Sequence, residues 1–247
     1  IKEVMSETAS IFVHLDYHIG HYVKVLMDEV FGEENFVNDI AWHYTTSSGA
    51  VKKKFIKNHD YIFFYAKNKS KYVFNQVKVP WPKATLKKWQ TDDDGRIYRV
   101  QHGYSKRYYI DPEGKIMDDV WNITLASRSH ERIGYATQKP EALLDRIIKS
   151  GSNEGMVVAD FFGGSGVTAK VAHDLGRQFV TADVGINAIQ TIRDRLVEAG
   201  SNFDILKIRD GVDLFRNPQQ TMDKLANIIP GVTTKHDYGK FWYGAIA

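Results

Sequence analysis

Residues 156–168, Met-Val-Val-Ala-Asp-Phe-Phe-Gly-Gly-Ser-Gly-Val-Thr, followed by Phe179-Val-Thr-Ala-Asp183, leave this chain few ways to fold. Residues 156–159 are a short apolar run, as expected of a strand covered on both faces. Gly163, Gly164 and Gly166 let the backbone turn sharply and come close to a ligand. Residues 167–175 have helical apolar spacing, and Gly176 is placed to end that helix. Asp183 closes the next strand, 23 positions after Asp160, where a carboxylate can accept hydrogen bonds from a ribose diol. A strand, a glycine turn, a helix and a second strand ending in an acid form the layout of a site for an adenosine-containing cofactor.

The identity of that cofactor turns on Asp160. Gly164-Ser-Gly166-Val-Thr-Ala169 also fits the fingerprint of nicotinamide- and flavin-binding folds, and an oxidoreductase is the reading it carries. An acid at the strand end would stand close to the pyrophosphate of such a ligand, and like charges repel. S-adenosylmethionine has no phosphate; its ammonium suits an acid at that place, while the turn amides cradle the rest. The residues therefore favour a methyl donor, with a dinucleotide and a chance glycine cluster as the alternatives.

Size and composition bound the rest. A chain of 247 residues, 43% of them apolar, suits one α/β domain with an inserted lobe. No apolar run approaches a membrane span and no signal peptide is visible, so a cytoplasmic location is the default expectation. With no cysteine, disulfides, thiolate metal sites and cysteine nucleophiles are excluded, and no metal site is expected.

The net charge of +3 hides an asymmetry. Residues 43–110 hold 15 Lys and Arg against four Asp, together with 14 of the chain's 31 aromatics. Lys52, Lys53, Lys54, Lys57, Lys87, Lys88, Arg96, Arg99, Lys106 and Arg107 are interleaved with Tyr44, Phe55, Trp81, Trp89 and Tyr108. Positive charge collects phosphates at any sequence, and aromatics offer stacking faces to unpaired bases. The alternative is a solvated lysine-rich face over an aromatic core. The joint clustering favours nucleic acid, and those ten cations are the expected contacts.

Along the chain, strands are expected at residues 10–15, 36–44 and 60–65, a helix at 18–31 capped by Gly32, and an Asp-rich turn at 92–95. Residues 108–117 read as a β-hairpin around Pro112-Glu-Gly114. Residues 121–136 read as polar and irregular. Lys139-Pro140 opens an amphipathic helix over residues 141–150, proline suiting a first turn. A helix over 187–199 and a strand over 203–208 follow, then a helix starting at Asn217-Pro218 and an aromatic tail at 238–243. The division expected is 1–66 for the N-terminal part of the sheet, 67–119 for an inserted lobe, 120–200 for the cofactor half, and 201–247 for an extension with a packing or dimer role.

Thr137-Gln-Lys-Pro-Glu-Ala-Leu-Leu144 followed by Asp160-Phe-Phe-Gly-Gly-Ser-Gly-Val-Thr168 resembles the bacterial DNA amino-methyltransferases of the β class, in which the cofactor motif follows the recognition region. The opening Ile11-Phe-Val-His-Leu-Asp16 and Asp28-Glu-Val-Phe-Gly-Glu-Glu-Asn-Phe36 look like the modification subunits of type III restriction systems and related orphan adenine methylases. The resemblance implies a Rossmann-like, mostly parallel methyltransferase sheet with an inserted β-rich recognition lobe. It implies transfer of a methyl from S-adenosylmethionine to adenine N6, or to cytosine N4, of a flipped base in duplex DNA. Thr137, Gln138 and Lys139 would contact the methionine end of the donor; Asp160, Phe161, Gly163, Ser165 and Gly166 would form the pocket loop, and Asp183 would hold the ribose. His14 and Asp16 would line the cleft or serve the structure. Double-stranded DNA is the implied substrate, with a homodimer and a restriction subunit as further partners.

One departure matters. The family catalyses with an Asp/Asn/Ser-Pro-Pro-aromatic tetrapeptide, whereas the six prolines here include no adjacent pair. The expectation is therefore of a chain that lacks the catalytic strand, which in such sheets lies beside the cofactor strand. The native protein would be longer, with Ile1 standing just downstream of that motif. A non-catalytic module binding DNA and cofactor is the alternative.

Overall fold

The computed structural model describes residues 1–45, 52–100 and 106–207. Its centre is a four-stranded sheet built from β1 (Ser10–Leu15), β2 (Phe36–His43), β3 (His59–Ala66) and β9 (Val120–Asn122), in the order β1-β3-β2-β9. The run Ile62-Phe-Phe-Tyr-Ala66 in β3 is buried throughout, because the strand has a partner on each edge and a layer on each face. Alternation sends Phe63 and Tyr65 one way and Ile62 and Phe64 the other. The first pair packs with Met27 and Phe31 of helix α1 (Gly20–Phe31). The second packs with Ile40, Trp42, Trp121 and Leu143, the last from helix α3 (Glu141–Gly151).

Helix α1 begins two residues later than the apolar spacing suggests and stops at Gly32, whose φ of 90° the other residues rarely adopt. It is pinned to the sheet by polar contacts as well. The Tyr65 hydroxyl donates to Asp28 (2.6 Å), which also pairs with Lys24 (2.7 Å). Burial first, and then the neighbouring Asp28, push the Tyr65 phenol up to about 12.

The cofactor half follows α3. Strand β10 (Val157–Asp160) pairs in parallel with β11 (Gln178–Thr181), with Asp160 opposite Thr181. Helix α4 (Val167–Asp174) lies between them in sequence, and α5 (Ile186–Glu198) comes after β11. Two apolar clusters hold this unit together. Ile148 of α3 meets Val167, Val171 and Ala172 of α4, and Ala169 meets Ile192 and Leu196 of α5.

The segment between β3 and β9 is rich in short strands. Strand β4 (Lys78–Val79) pairs with β8 (Lys115–Ile116); a one-turn helix α2 (Lys83–Leu86) leads to the antiparallel set β5 (Gln90–Thr91), β6 (Ile97–Val100) and β7 (Arg107–Tyr109).

Four expectations need correction. The sheet is mixed rather than mostly parallel: β3 runs antiparallel to both β1 and β2, and among the described residues only β2–β9 and β10–β11 are parallel ladders. The cause is topological. Strands β1, β2 and β9 point one way, but β3 returns from the end of β2 and slots between β1 and β2. The expected hairpin at 108–117 does not form, because β7 pairs with β6 and β8 pairs with β4. Gly114 serves that second pairing. Its φ is 126°, and a Cβ there would run into the Val79 carbonyl oxygen. Residues 121–136 are not wholly irregular: they begin inside β9, where Trp121 is buried. Residues 203–207 form no strand. The expected elements at 217 and 238–243 lie outside the described residues.

Among the described residues, the outer edges of β1 and β10 have no ladder partner, and Val157 on β10 is 54% exposed.

Candidate cofactor-binding site

Asp160 ends β10 and turns its Oδ1 back to accept the Phe162 amide hydrogen (3.0 Å), which starts the loop. The Gly163 amide then donates to the Ala182 carbonyl (2.9 Å), and Gly166 donates to the Gly163 carbonyl (2.8 Å). Glycine is required at two of these places for different reasons. At Gly163 a Cβ would overlap Thr181 Oγ1 at 2.3 Å. At Gly166 the φ of 75° is left-handed, and a Cβ would press on the Ile192 backbone at 3.0 Å. The loop thus fits tightly between β11 and α5.

A cleft of about 160 Å³ opens above this turn. Asp160, Gly163, Gly164 and Ser165 of the turn line it, as do Thr137 and Lys139 from the segment before α3. Phe162 also lines it and is 87% exposed. Whole-cofactor sites measure roughly 300–1,000 Å³, so the cleft matches one end of such a ligand.

The sequence-predicted residues divide into two groups. Thr137, Lys139, Asp160, Gly163 and Ser165 converge on the cleft. Gln138, Phe161, Gly166 and Asp183 do not line it. Gln138 is buried and knots its own loop: its Oε1 accepts the Ile133 amide hydrogen (3.0 Å) and its Nε2 donates to the Glu131 carbonyl (2.8 Å). Asp183 braces the turn, with Oδ2 accepting from the Gly164 amide (2.9 Å) and Oδ1 from the Gly185 amide (2.8 Å).

Lys139 is half-buried and faces a second group of polar side chains. Its ammonium lies 5.8 Å from the Trp42 ring centre, and desolvation lowers its pKa against the opposing charge of Asp60. His14 Nε2 meets Asp60 Oδ2 at 3.1 Å, and its ring packs edge-on to Trp42. Burial, helped by the Lys139 charge, outweighs Asp60 and keeps the His14 pKa below its ordinary value. Burial and then Asp60 push the Tyr44 phenol up to about 12. Sequence reading reached His14 but missed Asp60, Tyr44 and Trp42. All three sit near the end of β2 or the start of β3, and the β2–β3 register that brings them together was the available signal. Asp16 instead pairs with exposed His18 (2.9 Å).

A second missed group clamps the loop from behind. Arg195 of α5, only 8% exposed, donates through Nε to the Ser165 carbonyl (2.8 Å), and its Nη1 stands 3.4 Å from Glu141. Glu141 also pairs with Lys170 of α4 (2.7 Å). Glu131 Oε2 in turn accepts the Glu141 amide hydrogen (2.9 Å), which places a carboxylate at the positive end of α3.

With this geometry in view, the family model described as DNA methylase, N6_N4_Mtase, matches residues 1–194. The chain belongs to this DNA methylase family. Among its relatives, Type II methyltransferase M1.MboII of Moraxella bovis is 31% identical over 157 residues, 60% of this chain and 58% of that protein. Type II methyltransferase M.EcaI of Enterobacter cloacae is 27% identical over 248 residues, 79% of this chain and 54% of that protein. The chain therefore spans a little over half the length of these relatives. The solved structure of PvuII DNA methyltransferase, titled cytosine-N4-specific, shares the fold with a TM-score of 0.53 at 13% identity, over 86% of this chain and 70% of that one. The M1.HpyAVI–SAM complex does so at 0.52 and 20%, over 78% and 76%.

The expected DNA contacts are not equivalent. Lys52, Lys53, Lys54, Lys57, Lys87, Lys88, Arg99 and Lys106 are exposed. Arg96 instead bridges Asp92 (3.1 Å) and Asp94 (3.0 Å), and Arg107 lies over the Tyr98 ring (4.6 Å). Among the described residues no cluster of His, Asp or Glu suits a metal ion, and no helix is long and apolar enough to cross a membrane.

Proposed function

We propose that this chain holds the methyl donor and the DNA in an enzyme that methylates an exocyclic base amine, adenine N6, in a specific duplex site. The observation that carries this reading is the cleft lined both by the Asp160–Ser165 turn and by Thr137 and Lys139, which brings an acid and a lysine to one site. The amino-acid end of S-adenosylmethionine bears one charge of each sign. Asp160 suits its ammonium, Lys139 its carboxylate, and the cleft's volume suits that end alone. When bound, the donor supplies an electrophilic methyl on a sulfonium. The chain's own part is to fix that group's position: the clamped turn holds the donor, and orientation is the main source of rate in a direct displacement. Asp183, beside the turn, retains lone pairs for a ribose hydroxyl.

Adenine is favoured over cytosine by the resemblance of the opening motifs to adenine methylases, and a relative in Escherichia coli K12, 30% identical over 152 residues, is named DNA adenine methyltransferase YhdJ. Residues 67–119 form the DNA-reading lobe in this reading, flanked by sheet and cofactor parts at 1–66 and 120–200.

The absence of adjacent prolines supports a second reading, a DNA- and cofactor-binding module without catalysis. Tritium transfer from labelled S-adenosylmethionine to unmethylated duplexes, with calorimetry of the same donor, separates the two. Label appearing at adenine N6 supports the enzyme. Donor binding without transfer supports the module. Heat from NAD with none from S-adenosylmethionine would sink both.

A further inference from the structure

The antiparallel set β5–β6–β7 has two faces, and they carry different chemistry. Residues directly opposite on neighbouring strands share a face. Arg99 is opposite Tyr108, and Ile97 is opposite Thr91. Counting by two along the strands adds Trp89 and Lys106 to that face. The contacts agree: the Arg99 guanidinium lies 5.7 Å from the Trp89 ring centre and 6.0 Å from that of Tyr108, and the Lys106 ammonium is 5.4 Å from Tyr108. Trp81 extends the surface, its ring centre 5.3 Å from that of Trp89.

The opposite face holds Tyr98 against Tyr109, with Arg107 over the first ring (4.6 Å) and Arg96 over the second (4.7 Å). Here Arg96 is already matched. It pairs with Asp92 and Asp94, and the Asp92 side chain is almost fully covered. Arg107 lies over the Tyr98 ring with no carboxylate in ion-pair range among the described residues. On the Arg99 face two cations stand without a carboxylate in ion-pair range among the described residues, and exposed Lys87 and Lys88 lead into Trp89.

Phosphate binding is driven by cations that release counterions from nucleic acid, and a cation already paired in its own protein gives little. An arginine stacked on aromatic rings is different: its plane is held while its edge donors stay free for phosphate or a guanine edge. We propose that the Trp89–Arg99–Tyr108–Lys106 face docks on duplex DNA, and that Arg96, held by Asp92 and Asp94, is an internal brace that does not touch it. The proposal rests on the DNA-methylating function given above. It removes Arg96 from the contacts expected from sequence.

The test compares two substitutions of equal charge, Arg99→Gln and Arg96→Gln, in the full chain. Affinity for a fluorescein-labelled duplex of random sequence is measured from 50 to 200 mM salt. One lost phosphate contact lowers the slope of log K against log salt by about 0.9, so the gap between wild type and Arg99→Gln should narrow roughly 3.5-fold across that range. Arg96→Gln should keep the wild-type slope. Lys106→Gln, at an exposed side chain, should repeat the Arg99 result and guards against a folding defect at Arg99. Equal slope losses for Arg99→Gln and Arg96→Gln, or a loss confined to Arg96→Gln, overturn the assignment while leaving DNA binding in place. Tighter binding to a single-stranded RNA of the same length, with the duplex slope unmoved by Arg99→Gln, also overturns it. A wild-type chain that binds no duplex at all removes the proposed function, and this inference with it.

Discussion

Replacing Asp183 with alanine separates a residue that holds a ligand from one that holds the protein. In the structure its carboxylate accepts two backbone hydrogen bonds, from Gly164 at 2.9 Å and Gly185 at 2.8 Å. Bonds to a charged acceptor contribute about 1.5–3 kcal/mol each. Both lie in a half-buried place where water can partly replace the lost oxygen, so a total of about 2–4 kcal/mol is expected for Asp183→Ala. With a urea slope of about 2 kcal/mol/M, the unfolding midpoint should fall by roughly 1–2 M. Circular dichroism through the transition reads this without ligand. Because the Gly164 amide sits on the wall of the cleft, donor affinity should fall as well. Asp183→Asn keeps one acceptor oxygen and should recover about half of the stability. An alanine variant with an unchanged midpoint and more than tenfold weaker donor binding would refute the bracing argument and restore the ribose as this acid's main partner.

Other substitutions address the same site. Gly163→Ala must push Thr181 or the loop aside, so it should cost more than about 2 kcal/mol and abolish donor binding, read by urea melts and calorimetry. Arg195→Met leaves the Ser165 carbonyl without its donor but also removes a buried Nη2 that has no hydrogen-bond partner. The net loss of stability should stay near 1–2 kcal/mol, with the effect on donor affinity rescued in part by Arg195→Lys. The His14 pKa is lowered on folding, so the unfolded chain takes the proton first. Stability conferred by neutral His14 is complete above about pH 6.5 and is lost as pH falls through the lower folded value. His14→Gln should flatten that part of the profile in melts from pH 8 to 5.

The parts legible in the sequence were those whose reason is local. The β10–turn–α4–β11 unit announces itself through an apolar run, glycines where backbone and neighbour collide, and helical spacing, all within 26 residues. Strand β9 has no such signature. Three residues, Val-Trp-Asn, become a strand because Trp121 enters a cluster assembled from β2, β3 and α3. The misread hairpin has the same origin, since the turn at Pro112–Gly114 exists but each arm finds a better partner elsewhere. In the site, residue type singled out Gln138 and Asp183, and the structure turns both toward backbone. Whether a side chain aims at ligand or at backbone depends on loop paths that no spacing encodes. The basic residues show the limit most clearly: composition counts Arg96 and Arg99 alike, and the strand register assigns them to opposite faces.

Strand β3 also has a bearing on how the chain reaches this structure. It is the one strand that turns against its neighbours, yet it occupies the middle of the sheet. Its bonds to β1 begin with Ser10 facing Ala66 and close a long loop, whereas those to β2 run from Phe36 facing Tyr65 to His43 facing His59 and close a stretch comparable with that of the α4-linked pair β10–β11. The β1–β3 ladder is therefore made late, after β2–β3 and β10–β11. Strand β3, paired on both edges once β1 is home, should hold the amide hydrogens slowest to exchange.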